Sequence, residues 1–259
     1  MNRAVRLDKF LADAGKGTRS EVKNFIRKGL VQINGATVKK PEQKVEENDL
    51  VTLKGEAVIP EPEFLYYLLN KPAGCVSATE DRSEKTVMSY VPSGKKGLFP
   101  AGRLDKDTEG LLLITNDGRL AHELLSPSKH VEKTYFVRVS GQVTEDDRQR
   151  LEKGVDIGDD KPTLPARARI LTGENKEEAA ERRARPEKLP EVYTELYLTI
   201  HEGRFHQVKR MMEAVGKPVV YLKRVSMGPL KLPGDLKKGQ CRPLTEEEVR
   251  ALKMAAIRS

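Results

Sequence analysis

With 259 residues, the chain is long enough for two or three small domains with cores of their own. Hydrophobic residues make up 37% of it and no apolar run approaches the length of a membrane span. The opening Met1-Asn2-Arg3-Ala4-Val5-Arg6 leads into a polar helix instead of an apolar signal core. Its two cysteines, Cys75 and Cys241, stand in no Cys/His cluster, which argues against a disulfide framework or a zinc site and predicts a protein of the reducing cytoplasm, off the membrane. The net charge of +8 favours a polyanionic partner through phosphate contacts, RNA and DNA alike.

Leu7, Phe10, Leu11 and Ala14 recur at helical spacing and predict a short amphipathic helix stopped by Gly15. Thr18 and Glu21 have the spacing of a capping box, so a second helix starts there, with Val22, Phe25 and Ile26 inward and Gly29 at its end. Leu30 to Ile33, Asn34-Gly35 and Ala36 to Val38 form a strong hairpin signal, and Leu50 to Leu53 reads as a further strand before Lys54-Gly55. Arg19, Lys23 and Arg27, four residues apart, share one face of the second helix, and Lys39 and Lys40 follow the hairpin. Residues 1–60 hold 12 Lys and Arg against 8 Asp and Glu. On charge alone this is an ordinary solvated surface. Arg6-Leu7-Asp8, Thr18-Arg19-Ser20 and Gly29-Leu30-Val31 with Asn34-Gly35, however, resemble the S4-like RNA-binding domain, which implies that Arg6, Arg19, Lys23, Arg27 and Lys39 meet RNA phosphates that position the substrate.

Pro60-Glu61-Pro62-Glu63 reads as a stiff polar linker, giving domains at 1–59 and 64–259. Beyond it, Phe64 to Leu69 is an apolar stretch ended by Asn70-Lys71-Pro72-Ala73-Gly74. Leu111 to Ile114 reads as a buried strand stopped by Asn116-Asp117-Gly118. A helix follows with Leu120, Ala121, Leu124 and Leu125 on one side, then a strand from Val131 to Val139 with Tyr135, Val137 and Val139 on one face. Thr144 to Leu151 is helical, Val192 to Ile200 and Val219 to Val225 are strands, and Val208, Met211, Met212 and Val215 stripe a helix that ends at Gly216. Thr245 and Glu248 cap a last helix with Val249 and Leu252 inward. The class is α+β: a small N-terminal α/β domain, then a mostly antiparallel sheet with flanking helices. Gly173 to Pro190, highly charged with Leu189 as its one large apolar residue, reads as a mobile surface loop.

Three segments hold candidate chemistry, each with an ordinary alternative. Ala101 to Gly110 crowds charges beside a buried strand: Arg103 and Asp105 form either a surface ion pair or a catalytic pair with a carboxylate nucleophile or base. Tyr135 is either a core tyrosine or a residue facing a site. At the start of the striped helix, Lys209 flanks the apolar stripe and can meet a buried carboxylate, whereas Arg210 points nearly opposite, to solvent or RNA. His206 has no second ligand at suitable spacing and reads as a hydrogen-bonding residue, not a metal ligand.

In this order, Gly102-Arg103-Leu104-Asp105 with Asp107-Thr108 and Gly110 to Leu113, then Glu132-Lys133-Thr134-Tyr135, then Glu202-Gly203-Arg204 through Arg210, closely resemble the three catalytic motifs of pseudouridine synthases. Leu222, Arg224 and Gly228 resemble a fourth, auxiliary motif, and His206-Gln207-Val208-Lys209-Arg210-Met211 resembles the RsuA-type branch acting on small-subunit ribosomal RNA. The resemblance implies a flipped uridine, with Arg103 holding it or filling the vacated space, and Asp105 as the essential carboxylate, attacking sugar or base or assisting glycosidic cleavage. Tyr135 would lie against the freed uracil and help remove the C5 proton, and Lys209 would pair with Asp105 and favour its ionised form. Leu222 would supply apolar wall, with Arg204, His206 and Arg210 as further substrate contacts. No cofactor and no metal follow from this chemistry, and the implied partner is small-subunit ribosomal RNA or an assembling small subunit, bound by a monomer. A synthase for large-subunit RNA and a non-catalytic assembly factor are the rival readings. A DNA-binding regulator ranks lower, because no recognition-helix pattern or dimer zipper is visible.

Overall fold

In a computed structural model that describes residues 4–46, 48–58, 64–92, 97–171 and 190–258, the chain divides into residues 1–63 and 64–259. The Pro60–Glu63 joint, and the charged stretch after Gly173 up to Leu189, lie outside the described residues.

The first unit opens with a short strand β1 (Val5–Arg6) and helices α1 (Leu7–Asp13) and α2 (Arg19–Arg27). Thr18 and Glu21 close the capping box: Glu21 N–H donates to Thr18 Oγ1, and Thr18 N–H donates to the Glu21 carboxylate at 2.7 Å. Leu7 and Leu11 of one helix and Val22 and Ile26 of the other bury against Val31, Val45 and Val51, so the unit has its own core. Strands β2 (Val31–Ile33) and β3 (Ala36–Val38) are joined through Asn34 and Gly35, both at positive φ (50° and 82°), as a two-residue type I′ turn requires. A second turn of this kind, Lys54-Gly55 (54° and 86°), joins β5 (Val51–Leu53) to β6 (Glu56–Ala57). Strand β4 (Lys44–Val45) pairs with β1.

The second unit is built on one sheet. Its strands are β7 (Tyr66–Lys71), β8 (Phe99–Ala101), β9 (Glu109–Thr115), β10 (Lys133–Ser140), β11 (Arg167–Ile170), β12 (Tyr193–Ile200), β13 (Val219–Met227), β14 (Leu230–Lys231) and β15 (Cys241–Pro243). The order is β11-β12-β10-β13-β9-β7-β15, with β8 beside β9 and β14 beside β13. Every pairing is antiparallel except that of β9 with β13. Among the helices are α3 (Gly118–Leu125), α4 (Glu145–Lys153), α5 (Gln207–Ala214) and α6 (Glu246–Arg258). Leu69, Leu112, Ile114, Val137 and Leu198 form a core on one face with Met211 and Met212 of α5 and Leu151 of α4. Leu68, Leu111 and Leu113 form another on the opposite face with Leu120 and Leu124 of α3 and Leu252 of α6. Covered on both sides, β7 and β9 are buried along their whole length, which is why they read as continuous apolar runs.

Three expectations are corrected here. Strand β7 continues through Asn70 and Lys71, because each polar side chain finds acceptors inside: Asn70 Nδ2 donates to Leu236 O at 2.7 Å, and Lys71 to a cluster of carbonyls described below. Leu125, expected inward, is 38% exposed. Strands β8, β11 and β15 were not expected, being short or too polar to alternate cleanly.

The parallel contact is the seam of the sheet. It consists of the pairs Lys223↔Glu109 and Arg224↔Gly110, and joins two otherwise antiparallel halves. At the seam, Gly110 has φ 104°, and a Cβ there would lie 2.2 Å from Arg224 O. Only glycine permits this approach, by conformation and by space. Gly110→Ala is therefore expected to destabilise the second unit by on the order of 3 kcal/mol or more, measured as a fall in the urea unfolding midpoint.

Candidate active site

The turn between β8 and β9 carries Arg103, Leu104 and Asp105, and it is fastened from beneath. Lys71 at the end of β7 is fully buried and directs its ammonium at the turn's backbone, donating to Thr108 O (2.8 Å), Asp105 O (2.9 Å), Lys106 O (3.3 Å) and its own neighbour Pro72 O (3.1 Å). Burial lowers the Lys71 pKa, with the charges of Asp107, Asp105 and Glu109 among the opposing influences. Ser77 adds a second fastening, its Oγ donating to Leu104 O at 2.8 Å and accepting from Leu104 N–H at 3.0 Å. Gly74 N–H donates to Lys106 O at 2.7 Å. The turn is thus held by its main chain, and its side chains are left to face a cavity of about 620 Å³, within the range of small-ligand clefts.

Asp105 enters this cavity with its side chain 27% exposed. Lys209, from the first turn of α5, places Nζ 3.2 Å from Asp105 Oδ2 and donates to both oxygens of Asp107 at 2.6 and 2.8 Å. Burial alone would lower the Lys209 pKa, but the two carboxylates outweigh it and raise it. Burial likewise pushes the Asp107 carboxyl up, and the Lys209 hydrogen bond and charge hold it below its ordinary value. His206 Nε2 lies 3.4 Å from Asp105 Oδ1. Arg103 is exposed at the cavity and makes no ion pair among the described residues, so the ordinary Arg103–Asp105 pair is not formed.

Tyr135 on β10 and Leu222 on β13 line the cavity from the sheet. Tyr135 is at once a core residue packed with Val137 and a wall of the site. Directly across from it in register stands Arg224, 3% exposed, whose Nε donates to Leu111 O at 2.8 Å. Its Nη2 is buried without a hydrogen-bond partner among the described residues. Lys133, two residues before Tyr135, also lines the cavity, donates to Val131 O at 2.8 Å, and is pushed down to about 8 by burial and then by the Arg224 charge. Neither cation has a carboxylate partner among the described residues, so the cavity combines a carboxylate-bearing turn with a cationic floor.

The structure therefore brings Arg103, Asp105, Tyr135, Leu222, His206 and Lys209 to one cavity. Arg204 borders it too, but its guanidinium is spent on the fold, donating to Glu202 Oε2 (3.0 Å), Lys161 O (2.6 Å) and Pro162 O (2.9 Å). Arg210 does not reach the cavity and does not point freely to solvent. It donates to Asp159 Oδ1 at 2.6 Å and to Ile157 O, so it is engaged by a carboxylate of the neighbouring loop and stands apart from the residues that line the cavity. In the first unit Arg6 donates to Asp8 at 2.9 and 3.1 Å, and Lys23 stands 3.9 Å from the same buried carboxylate, while Arg19, Arg27 and Lys39 are exposed. Sequence reasoning missed Lys71, Lys133 and the role of Arg224. A lysine closing an otherwise largely apolar run was the available signal for the first. No group of three or more metal-ligating side chains occurs among the described residues, and no helix there is long and apolar enough to cross a membrane.

The chain resembles known proteins over nearly its whole length. The family model described as RNA pseudouridylate synthase matches residues 65–214, and the S4 domain model matches residues 5–51. An uncharacterised RNA pseudouridine synthase of Bacillus subtilis is 46% identical, covering 96% of this chain and 98% of its own. The ribosomal small subunit pseudouridine synthase A of Haemophilus influenzae is 38% identical (96% and 99% covered), and the ribosomal large subunit pseudouridine synthase B of Bacillus subtilis is 37% identical (97% and 96% covered). A crystal structure of a pseudouridylate synthase, 36% identical, superimposes with a TM-score of 0.63 over 96% of this chain and 99% of that one.

The two buried lysines should respond oppositely to removal of charge. Lys71→Met removes the ammonium donor shared by Asp105 O, Lys106 O and Thr108 O, and is expected to destabilise the second unit by about 3 kcal/mol. Lys133 has a folded-state pKa of about 8 against an ordinary 10.5, so the unfolded chain holds more protons between those values and stability rises with pH across that window. Lys133→Met should therefore stabilise the protein at pH 7, by about 1–2 kcal/mol after allowance for residual screening, with the advantage fading towards pH 10. Urea unfolding of both variants at pH 7 and pH 10 checks the pair.

Proposed function

Because the chain belongs to the RNA pseudouridylate synthase family, with an S4 domain ahead of the catalytic domain, we propose that it isomerises one uridine of small-subunit ribosomal RNA, with Asp105 as the essential carboxylate. The observation that carries the residue assignment is the convergence on one cavity of Asp105, Lys209, Tyr135 and Leu222, from four separate segments of the chain. The reaction breaks the N1–C1′ bond, turns the uracil, forms the C5–C1′ bond and moves a proton from C5 to solvent while N1 regains one. Nothing is oxidised or reduced, and no group donor enters. A uridine leaves its stack most cheaply from an unpaired or strained loop, and Arg103, exposed at the cavity, takes the place of the departing base or holds its nucleotide. Asp105 acts on the sugar or base beside Lys209 at 3.2 Å. The carbonyl oxygens of uracil supply acceptors for Lys133 and Arg224, and charge that develops on the detached base meets these preorganised cations. Tyr135 lies against the base, placed to assist loss of the C5 proton.

Small-subunit RNA is favoured by the resemblance of His206-Gln207, in the motif that carries Lys209, to the small-subunit type, since large-subunit relatives usually lack that pair. Gln207 is structural in this role: its Nε2 donates to Glu202 Oε1 at 2.8 Å and its Oε1 accepts from Arg204 N–H at 2.9 Å, fixing the turn that offers His206 to Asp105. The exposed Arg19, Arg27 and Lys39 of the S4 domain hold RNA by phosphate contacts, and the protein acts as a cytoplasmic monomer on the RNA or an assembling small subunit.

Purified protein incubated with small-subunit or large-subunit ribosomal RNA, unmodified and tritiated at uridine C5, is expected to release tritium stoichiometrically from one site of the small-subunit RNA. Asp105→Ala should slow release at least about a thousandfold, equivalent to about 4 kcal/mol of barrier. Release from large-subunit RNA alone would overturn the substrate, and release by Asp105→Ala at the wild-type rate would overturn the assigned carboxylate.

A further inference from the structure

Phe205 is 74% exposed, the most exposed of the large apolar side chains among the described residues. A phenyl ring left in water forgoes most of the stabilisation that burial provides, and the backbone here is not loose enough to explain the exposure by mobility. On one side, Arg204 is locked to Glu202, Lys161 and Pro162. On the other, His206 adopts φ 47°, a conformation that disfavours side chains, and Phe205 O accepts from Arg210 Nη1 at 3.1 Å. The ring is therefore presented by a braced turn. It lies nearly parallel to the imidazole of His206, with centroids 3.8 Å apart and planes 18° apart, and that imidazole is 3.4 Å from Asp105. The two rings form a short stack with its inner end near the carboxylate, and Phe205, which also lines the cavity, is largely open to solvent.

We propose that the outer face of Phe205 is a stacking subsite for the base of a nucleotide next to the target uridine. When the uridine flips, its neighbour loses a stacking partner, and an aromatic face held at the cavity mouth replaces it. Stacking of this kind accepts any base, so the subsite contributes affinity and positioning without reading sequence. Exposed Arg103, at the same cavity and unpaired among the described residues, supplies positive charge for the adjoining backbone. The inference rests on the RNA-modifying reading above and adds to it a site for a second nucleotide.

The test compares wild type with Phe205→Ala, Phe205→Leu and Phe205→Trp, using the tritiated small-subunit and large-subunit transcripts as probes in filter binding and in single-turnover tritium release. The ring is exposed, so all variants should unfold at the wild-type urea midpoint. Phe205→Ala and Phe205→Leu are expected to raise the concentration for half-maximal rate and the Kd about tenfold, with the saturating rate changed less than about threefold. Phe205→Trp should restore wild-type affinity. Leucine matching wild type would overturn the inference, since an apolar contact would then suffice. A fall in the saturating rate at unchanged affinity would overturn it too, assigning Phe205 to support of His206. Wild type inactive on both RNAs would overturn the proposed function and this subsite with it, whereas active wild type with an indistinguishable Phe205→Ala would overturn the subsite alone.

Discussion

The ammonium of Lys71, shielded from water at the end of β7, shares its three protons among four backbone carbonyl oxygens, three of them in the turn that bears Asp105. Burying such a charge is costly, and the cost is offset only because each proton finds a well-placed acceptor in a medium of low dielectric. A lone carbonyl-rich turn has no reason to choose one conformation. With a cation beneath it, the turn has one that brings its three oxygens to the ammonium together, and the Asp105 side chain is thereby aimed into the cavity. Lys209, His206 and the sheet residues can then be placed relative to a fixed point.

Charge in the cavity is separated by function. Two carboxylates share one lysine at the turn, whereas Lys133 and Arg224 face the interior without an acid of their own among the described residues. The first arrangement keeps Asp105 beside a cation but does not commit Lys209 to it alone, since the shorter contacts go to Asp107. The second leaves hydrogen-bonding capacity unused until a ligand arrives. An unliganded protein gains nothing from a depressed lysine beside a buried guanidinium, and stability yielded at a binding site is the usual signature of function.

Much of this was legible in the residues. Local rules located the capping boxes, the Asn34-Gly35 hairpin and the buried β9, because each depends on chemistry within a few positions. Asp105, Tyr135, Lys209 and Leu222 were legible through motif order, not through periodicity, which leaves Tyr135 a plain core residue. What escaped was set by distant partners. Lys71 looks like the polar end of a strand until the carbonyls from 105 to 108 come into view, more than thirty residues on. Arg210 looks free on a helical wheel, and only the path of the loop through Asp159 shows it engaged. Arg138, on the far face of β10, is buried against Glu195 at 2.7 Å, though nothing in its neighbourhood of sequence distinguishes it from a solvated arginine.

The seam of the sheet also sets an order of events during synthesis. Gly110 and Arg224 meet across more than a hundred residues of chain, and loop closure of that span must be met before the contact gives anything back. A ribosome-bound polypeptide that has emerged only as far as β10 contains Asp105 and Tyr135 but neither Lys209 nor Arg224, whereas residues 1–63, with a core of their own, are already complete. The cavity and the seam are thus incomplete in every truncated product that stops before β13, and such fragments retain at most the basic surface of the N-terminal domain.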